Sequence, residues 1–377
     1  ADSFAGGTGT QDDPYLISNG AELAYLAKIT NENGMQTSGV YYKLTEDIYL
    51  NEEVLTEDFY LNGTPENVFT PIGCRETNKF RGNFDGNFHV IKGAYTLLEN
   101  ASYVGFFCYI DNATIRNLSM VDSYVRGYQS GVLVCHALNS TISQCYVEGY
   151  SEGSGYSTVL ACMVSNNTTI ENCYVSGRVT ESSMRPGSLC AWFESSQITN
   201  CFSTAYSPHP FDEVRNANSI QRVYECSDFG SNFTGHSTYS NLTKEQMQSA
   251  GFAAHLGEAF QFVEGHYPFI EGLPMVGESN ATRASGYRVN VAKMPNGKYS
   301  SICFYDDYDG TDVKNPSTRM DAGEKVYMKL TIRPRMLLQE GSLKLTNDAT
   351  GSQIRLVSVA DGIWSFTMPE SSVTATA

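Results

Sequence analysis

Four short segments in the middle of the chain repeat one another: TIRNL at residues 114–118, TISQC at 141–145, TIENC at 169–173 and QITNC at 197–201. Their isoleucines follow one another at intervals of 27, 28 and 28 residues. A fixed period in this range is typical of repeat architectures, in which each repeat is too short to bury its own apolar residues and stacks on its neighbours.

A second apolar block precedes each segment and carries a cysteine. Both blocks are short, rich in β-branched and aromatic residues, and separated by Asn, Gly and Ser, which favours strands over helices. We therefore expect a right-handed parallel β-helix with one coil per repeat. A propeller blade would need about 40–50 residues. Equivalent side chains should form three inward ladders: Ile115, Ile142, Ile170 and Ile198; Leu118, Cys145, Cys173 and Cys201; and Cys108, Cys135, Cys162 and Cys190.

Amide side chains recur between two inward positions of each repeat, at Asn117, Gln144, Asn172 and Asn200. This placement suits a bend, where a side-chain amide can stack on its neighbour and bond the backbone. We interpret these residues as structural and not as ligand contacts.

The composition excludes several partners. The chain has 377 residues, a net charge of −16 and ten cysteines. Nucleic acid is excluded because phosphate binding needs a basic face, and no apolar run approaches the roughly 20 residues of a membrane span.

Stacked ladder positions leave Cβ atoms about 4.8 Å apart, too far for most disulfides, so buried thiols are expected. Cys74, Cys226 and Cys303 lie off the ladders, and a bridge there stays open.

The sequence predicts an all-β chain of two domains. The parallel β-helix would span 1–276, with short capping helices opened by capping boxes at Asn19 and Thr243. Residues 277–285 read as a linker. Residues 286–377 hold about seven short alternating segments and predict a small β-sandwich.

Two sets of motifs resemble known families. FAGGTGT at 4–10, DPYLI at 13–17 and FRGNFDGNFHVI at 80–91 resemble GLUG-motif surface proteins of bacteria, although Phe88 stands where glycine is common. AGEKV at 322–326 and WSFTMPESSVTATA at 364–377 are similar to bacterial surface β-repeat modules. The resemblance implies an exported cell-surface protein with a β-helix, and it supplies no catalytic site.

The search for chemistry yields one candidate site. Tyr146, Tyr174 and Phe202 each follow a ladder cysteine and should point outward as a stacked row. Such a row could bind sugar rings or a protein, or it could pack under a loop. The segment DDYDGTD at 306–312 partly resembles a calcium loop but lacks the closing Glu, so no metal and no cofactor is expected.

A catalytic role is not expected. Glycoside hydrolysis needs two placed carboxylates, and Asp122, Glu148 and Glu171 do not share one register. The lone His136 is interpreted as a packing or surface residue. The leading hypothesis is a non-enzymatic, monomeric adhesion or ligand-binding module whose partner is a host or microbial surface glycan or protein. A polysaccharide-active lyase or hydrolase and a structural spacer of a larger surface protein are the alternatives.

Overall fold

The computed structural model describes residues 1–98, 101–229, 240–277, 287–292, 300–316, 319–332, 337–339 and 341–377. The chain is mainly β-strand and divides into two compact units, Ala1–Lys244 and Glu245–Ala377. This division lies before the predicted boundary at 276. The predicted linker, 277–285, lies outside the described residues except for Gly277.

The described part of unit 1 contains one large sheet of nineteen strands, which pair in parallel. Each strand pairs with the segment one repeat further along the chain, so that Thr114 faces Thr141 and Thr141 faces Thr169. The nineteen strands are β1 (Tyr15–Ile17), β2 (Tyr41–Leu44), β3 (Ile48–Tyr49), β4 (Val68–Phe69), β5 (Asn83–Asp85), β6 (Val90–Lys92), β7 (Tyr95–Thr96), β8 (Tyr103–Asp111), β9 (Thr114–Leu138), β10 (Thr141–Thr158), β11 (Ala161–Ser165), β12 (Thr169–Glu171), β13 (Tyr174–Val179), β14 (Arg185–Pro186), β15 (Cys190–Glu194), β16 (Gln197–Ser203), β17 (Phe211–Arg215), β18 (Ser219–Cys226) and β19 (Ser240–Leu242).

The isoleucine ladder has the predicted register. Ile115 faces Ile142, Ile142 faces Ile170, and Ile170 faces Ile198. All four lie in one buried core with Cys145, Cys173 and Cys201. Burying an aliphatic side chain of this size contributes about 1.5–3 kcal/mol, so the repeated ladder supplies much of the stability of unit 1.

The predicted bends are also confirmed. Asn117, Gln144, Asn172 and Asn200 all have φ between 50° and 55°, in the left-handed region that Asn tolerates better than most residues. The Asn200 amide donates to Oδ1 of Asn172 over 3.2 Å. The recurring amide is therefore explained by backbone geometry and by stacking between repeats.

The third ladder is wrong in its last member. Met163 faces Trp192, which places Cys162 opposite Ala191 and not opposite Cys190. Cys108, Cys135, Cys162 and Ala191 form a small buried cluster of their own, whereas Cys190 belongs to the main core. One extra residue in the fourth repeat shifts the alternation, because successive side chains of a strand point to opposite faces. None of the ten cysteines forms a disulfide, and all ten lie in the described residues.

Both predicted helices form, and the second is interrupted. α1 (Gly20–Glu32) is capped by Asn19, whose side chain accepts from the amides of Ala21 and Glu22, and it buries Leu23, Leu26 and Ala27. The second helical segment is divided into α2 (Lys244–Met247) and α3 (Ala250–Leu256), and the hydroxyl of Ser249 caps α3. Short 3-10 helices span Gly34–Thr37, Glu76–Asn78 and Ser227–Phe229.

The described part of unit 2 contains three further sheets. β20 (Phe260–Gln261) and β21 (Phe269–Ile270) form an antiparallel pair. The four-stranded sheet has the order β25 (Arg319–Met320), β22 (Tyr287–Val291), β30 (Val373–Thr376) and β27 (Lys344–Asn347). The five-stranded sheet has the order β24 (Val313–Pro316), β23 (Ser300–Tyr308), β26 (Lys325–Ile332), β29 (Ile363–Thr367) and β28 (Val357–Ala360).

Residues of both larger sheets share one core, including Val289, Val373, Met328 and Phe366. The pairing of β28 with β29 has a register irregularity between Ser358 and Ala360, which is typical of a bulge.

Candidate ligand-binding face

The predicted aromatic row stacks but is not exposed. Ring centroids lie 4.7 Å apart for Tyr146 and Tyr174, and 5.3 Å apart for Tyr174 and Phe202. The three residues are only 1%, 0% and 0% exposed, so the expected exposure is wrong. Strand alternation fixes the face from which a side chain leaves the sheet, but it does not fix whether that face meets solvent. A ligand role for this row stays a prediction that requires the rings to be uncovered.

A second outer row is covered by a loop. Tyr95, Tyr124, Tyr150 and Arg178 occupy equivalent positions of successive strands, and Tyr206 bridges to Arg178. Val54 of the 51–67 loop is fully buried in a cluster with the first three tyrosines. The interval from Tyr41 of β2 to its partner Asn83 of β5 is long because this loop is inserted there.

Two side chains fasten this loop. The Asp122 carboxylate accepts hydrogen bonds from the backbone amides of Val54 and Leu55, at 3.0 and 2.8 Å. The Arg178 guanidinium lies 4.1 Å from the centroid of the Tyr60 ring, and its Nε donates to the Asp58 carbonyl over 3.1 Å. Burial raises the pKa of Asp122. The second row is therefore occupied by the chain itself.

A third outer row remains partly open to solvent. It consists of two parallel columns in register. Tyr109 faces His136, His136 faces Met163, and Met163 faces Trp192. In the neighbouring column Tyr103 faces Gln129, and Gln129 faces Tyr156. We call this set the aromatic face: Tyr103, Tyr109, His136, Tyr156, Met163 and Trp192, of which all but Tyr109 are half-buried.

The two columns contact each other at one end through His136. Its ring centroid lies 5.0 Å from that of Tyr103 and 4.9 Å from that of Tyr109. Its Nε2 lies 2.8 Å from Oε1 of Gln129. Burial lowers the pKa of His136 to about 4, so this imidazole is neutral at neutral pH. The interpretation of His136 as a packing or surface residue fits this position.

An ion-pair cluster adjoins the other end. Arg185 follows Tyr156 in its column, and Glu213 follows Trp192. The Arg185 guanidinium donates to Asp212 over 2.9 Å and also binds Glu213. The Arg215 guanidinium pairs with Glu213 and lies 4.3 Å from the Trp192 ring centroid. Donors and acceptors thus surround the Trp192 side chain.

One exposed ring belongs to a residue next to the second column in sequence. Tyr128 is 44% exposed, and it immediately precedes Gln129. A Cβ atom on Gly155 would come within 2.6–2.8 Å of three Tyr128 ring atoms, so this ring lies across the glycine backbone. Only glycine allows so close an approach. The ring is a flat, exposed aromatic surface against the backbone of Gly155, the residue before Tyr156 of the second column.

The acidic 306–312 loop is held by its own contacts. The Asp309 carboxylate accepts from the Thr311 and Asp312 amides and pairs with Lys314. Asp312 pairs with Lys329 at 2.8 Å. In the part of the chain that the structure describes, no group of three or more His, Cys, Asp or Glu side chains could hold a metal ion.

The comparisons with known proteins cover parts of the chain. No protein-family model matches it. A protein of Evansella cellulosilytica, named by inference as a Gly-rich membrane protein, is 35% identical over 124 residues, which are 32% of this chain and 12% of that protein. Halomucin of Haloquadratum walsbyi is 30% identical over 148 residues, which are 39% of this chain and 2% of halomucin. The chain thus spans a small part of the length of both relatives.

One solved structure is similar in outline. It is the crystal structure of a protein of Bacteroides ovatus that is named by inference as an immunoglobulin A1 protease. The similarity covers 72% of this chain and 96% of that one, with 16% sequence identity and a TM-score of 0.49. Among the described residues of the present chain, no helix combines the length and apolar character needed to cross a membrane.

Proposed function

We propose that this chain is a non-enzymatic ligand-binding part of an exported bacterial surface protein. Unit 1 is a right-handed parallel β-helix of the GLUG-motif type, and the two larger sheets of unit 2 form a small β-sandwich. The parallel pairing at intervals of 27 and 28 residues supports the β-helix. The Evansella relative is named as a membrane protein, which fits a place at the cell surface.

The aromatic face is the recognition surface in this proposal. One observation carries it: aromatic and polar side chains stand in register on neighbouring strands, and most of them are half-buried. Half-buried aromatic residues are enriched at binding surfaces because they combine a large apolar area with few rotatable bonds. The other two rows are buried or covered.

Enzymatic action on polysaccharide is the alternative with the most specific observation behind it. Asp212 and Glu213 are two carboxylates close to Trp192, but both are engaged by Arg185. A glycosidase needs one carboxyl group that can donate a proton and a second that acts as base or nucleophile. The shared arginine works against that division of roles, so we prefer ligand binding without turnover.

The test is binding to an array of surface glycans and glycoproteins. Wild-type protein should bind at least one class, and both Tyr128→Ala and Trp192→Ala should weaken that binding. Tyr49→Ala is the matched control, because Tyr49 is 43% exposed and Tyr128 is 44% exposed. Unchanged binding by both the Tyr128→Ala and the Trp192→Ala proteins would contradict the proposal. Polysaccharide shortened during overnight incubation would replace it with the enzyme alternative, and Asp212→Asn would be tested next.

A further inference from the structure

We propose that the aromatic face binds an extended, electrically neutral glycan that runs along the direction in which the strands stack. This inference rests on the proposed function and names its ligand. Three properties of the face support it: its length, the paired charges of its polar end, and the saturation of its backbone groups.

The members of one column follow each other strand by strand. Tyr109, His136, Met163, Trp192 and Glu213 are successive members of one column. Neighbouring strands lie about 4.8 Å apart, so this column extends over about 19 Å. One position per strand gives a repeat similar in length to a single pyranose unit in an extended chain. A linear glycan can therefore place successive rings against successive members of the column.

The charges favour a neutral ligand. The charges of Arg185, Arg215, Asp212 and Glu213 cancel, and their side chains are 40%, 53%, 16% and 20% exposed. The Glu194 carboxylate, which accepts a hydrogen bond from Trp192, adds one negative charge. Such a cluster offers both donors and acceptors to sugar hydroxyl groups without a field that would select an anion. The net charge of −16 opposes the approach of a polyanion.

The backbone of the face disfavours an extended peptide. A peptide that adds to a sheet needs free N–H and C=O groups at a strand edge. Here both edges of β9 and of β11 are already paired. β9 pairs with β8 and β10, and β11 pairs with β9 and β15. Recognition is left to side chains, and Tyr128 adds a flat ring on which the face of a sugar can stack.

The experiment is affinity electrophoresis of the full chain in gels that contain either a neutral linear polysaccharide or a uronic-acid polymer. We expect retardation by at least one neutral polymer, little change with salt, and little retardation by the acidic polymer. Removing one stacking ring removes about 0.5–1.5 kcal/mol, or roughly a two- to tenfold loss of affinity. Tyr128→Ala and Trp192→Ala should show this loss, and Tyr49→Ala should not.

The length dependence adds a second readout. Affinity for soluble neutral oligosaccharides should rise from two units up to about four or five, because the column spans five strands, and then level off. Salt-sensitive retardation by the acidic polymer alone would overturn the inference, as would full affinity for a disaccharide. Loss of a protein ligand in the same variants, without any glycan binding, would overturn the inference and leave the proposed function standing.

Discussion

The isoleucine ladder makes a prediction about stability. Ile142 is fully buried, with Ile115 on one side and Ile170 on the other. Replacing a buried isoleucine by alanine costs about 2–5 kcal/mol, because apolar burial is lost and the remaining cavity collapses only in part. The rigid strands on both sides limit that collapse, so Ile142→Ala should cost about 3–4 kcal/mol.

The same ladder offers its own control at its end. Ile220 faces Ile198 on one side and is half-buried. It therefore has less area to lose, and Ile220→Ala should cost about 1 kcal/mol. Comparing the same substitution at the two ladder positions thus separates the effect of burial between neighbouring repeats from the effect of removing any isoleucine.

The assay uses the two tryptophans of the chain. Trp192 lies in unit 1 and Trp364 in unit 2, so a Trp364→Phe background leaves one fluorophore that reports on unit 1. Urea unfolding of this background, with and without each isoleucine change, gives the two free-energy differences. A cost below about 1 kcal/mol for Ile142→Ala, or equal costs for both variants, would refute the ladder as the main source of stability.

Three further predictions follow from single contacts. At Asn172, where φ is 53°, Ala should destabilise unit 1 by about 1 kcal/mol more than Gly, since both lose the amide and only Ala is strained; thermal melts of the two variants give the difference. Burial raises the pKa of Glu225 to about 8, and its Oε2 has no hydrogen-bond partner within the described chain. At neutral pH the folded state therefore holds a proton that the unfolded state has released. The free energy of unfolding should fall by up to about 1.4 kcal/mol between pH 7 and pH 8. Denaturation measured at both pH values should show that Glu225→Gln removes this pH dependence. Asp122→Ala deletes both acceptors that hold the 51–67 loop. Hydrogen exchange should therefore accelerate at the amides of Val54 and Leu55, while the amide of Ile142 stays protected. Unchanged exchange in the loop would show that Asp122 does not hold it.

The repeat fold was predictable because its causes are local and recur. Ile115 and Ile142 share a residue type, an interval and a place between bends, so the sequence echo reveals their register. The left-handed bends could be predicted for a similar reason, since Asn172 and Asn200 meet the same backbone requirement one repeat apart. The displaced Cys190 shows the limit of this reasoning: a single inserted residue reverses the alternation without disturbing the visible pattern.

The aromatic face could not be found in the same way. Its column changes from tyrosine to histidine, methionine and tryptophan, so the members share a position but not a residue type. The only sign of this column in the sequence is that its members fall at equivalent positions of successive repeats, although their residue types differ. The burial of Tyr146 and Tyr174 was hidden for another reason, since exposure depends on which distant segment covers a face. The loop that covers the second row shows this, because Asp58 accepts a hydrogen bond from Arg178, 120 residues further along the chain.

Trp192 gives the most direct test of whether the aromatic face binds a glycan. In the Trp364→Phe protein, Trp192 is the only tryptophan, and its indole Nε1 donates to Glu194 over 3.3 Å while Arg215 lies over its ring. Titration with the neutral oligosaccharide that the protein retains should change its emission and saturate at the affinity measured by electrophoresis. An unchanged emission from Trp192 at saturating ligand would place the bound glycan elsewhere and contradict the account.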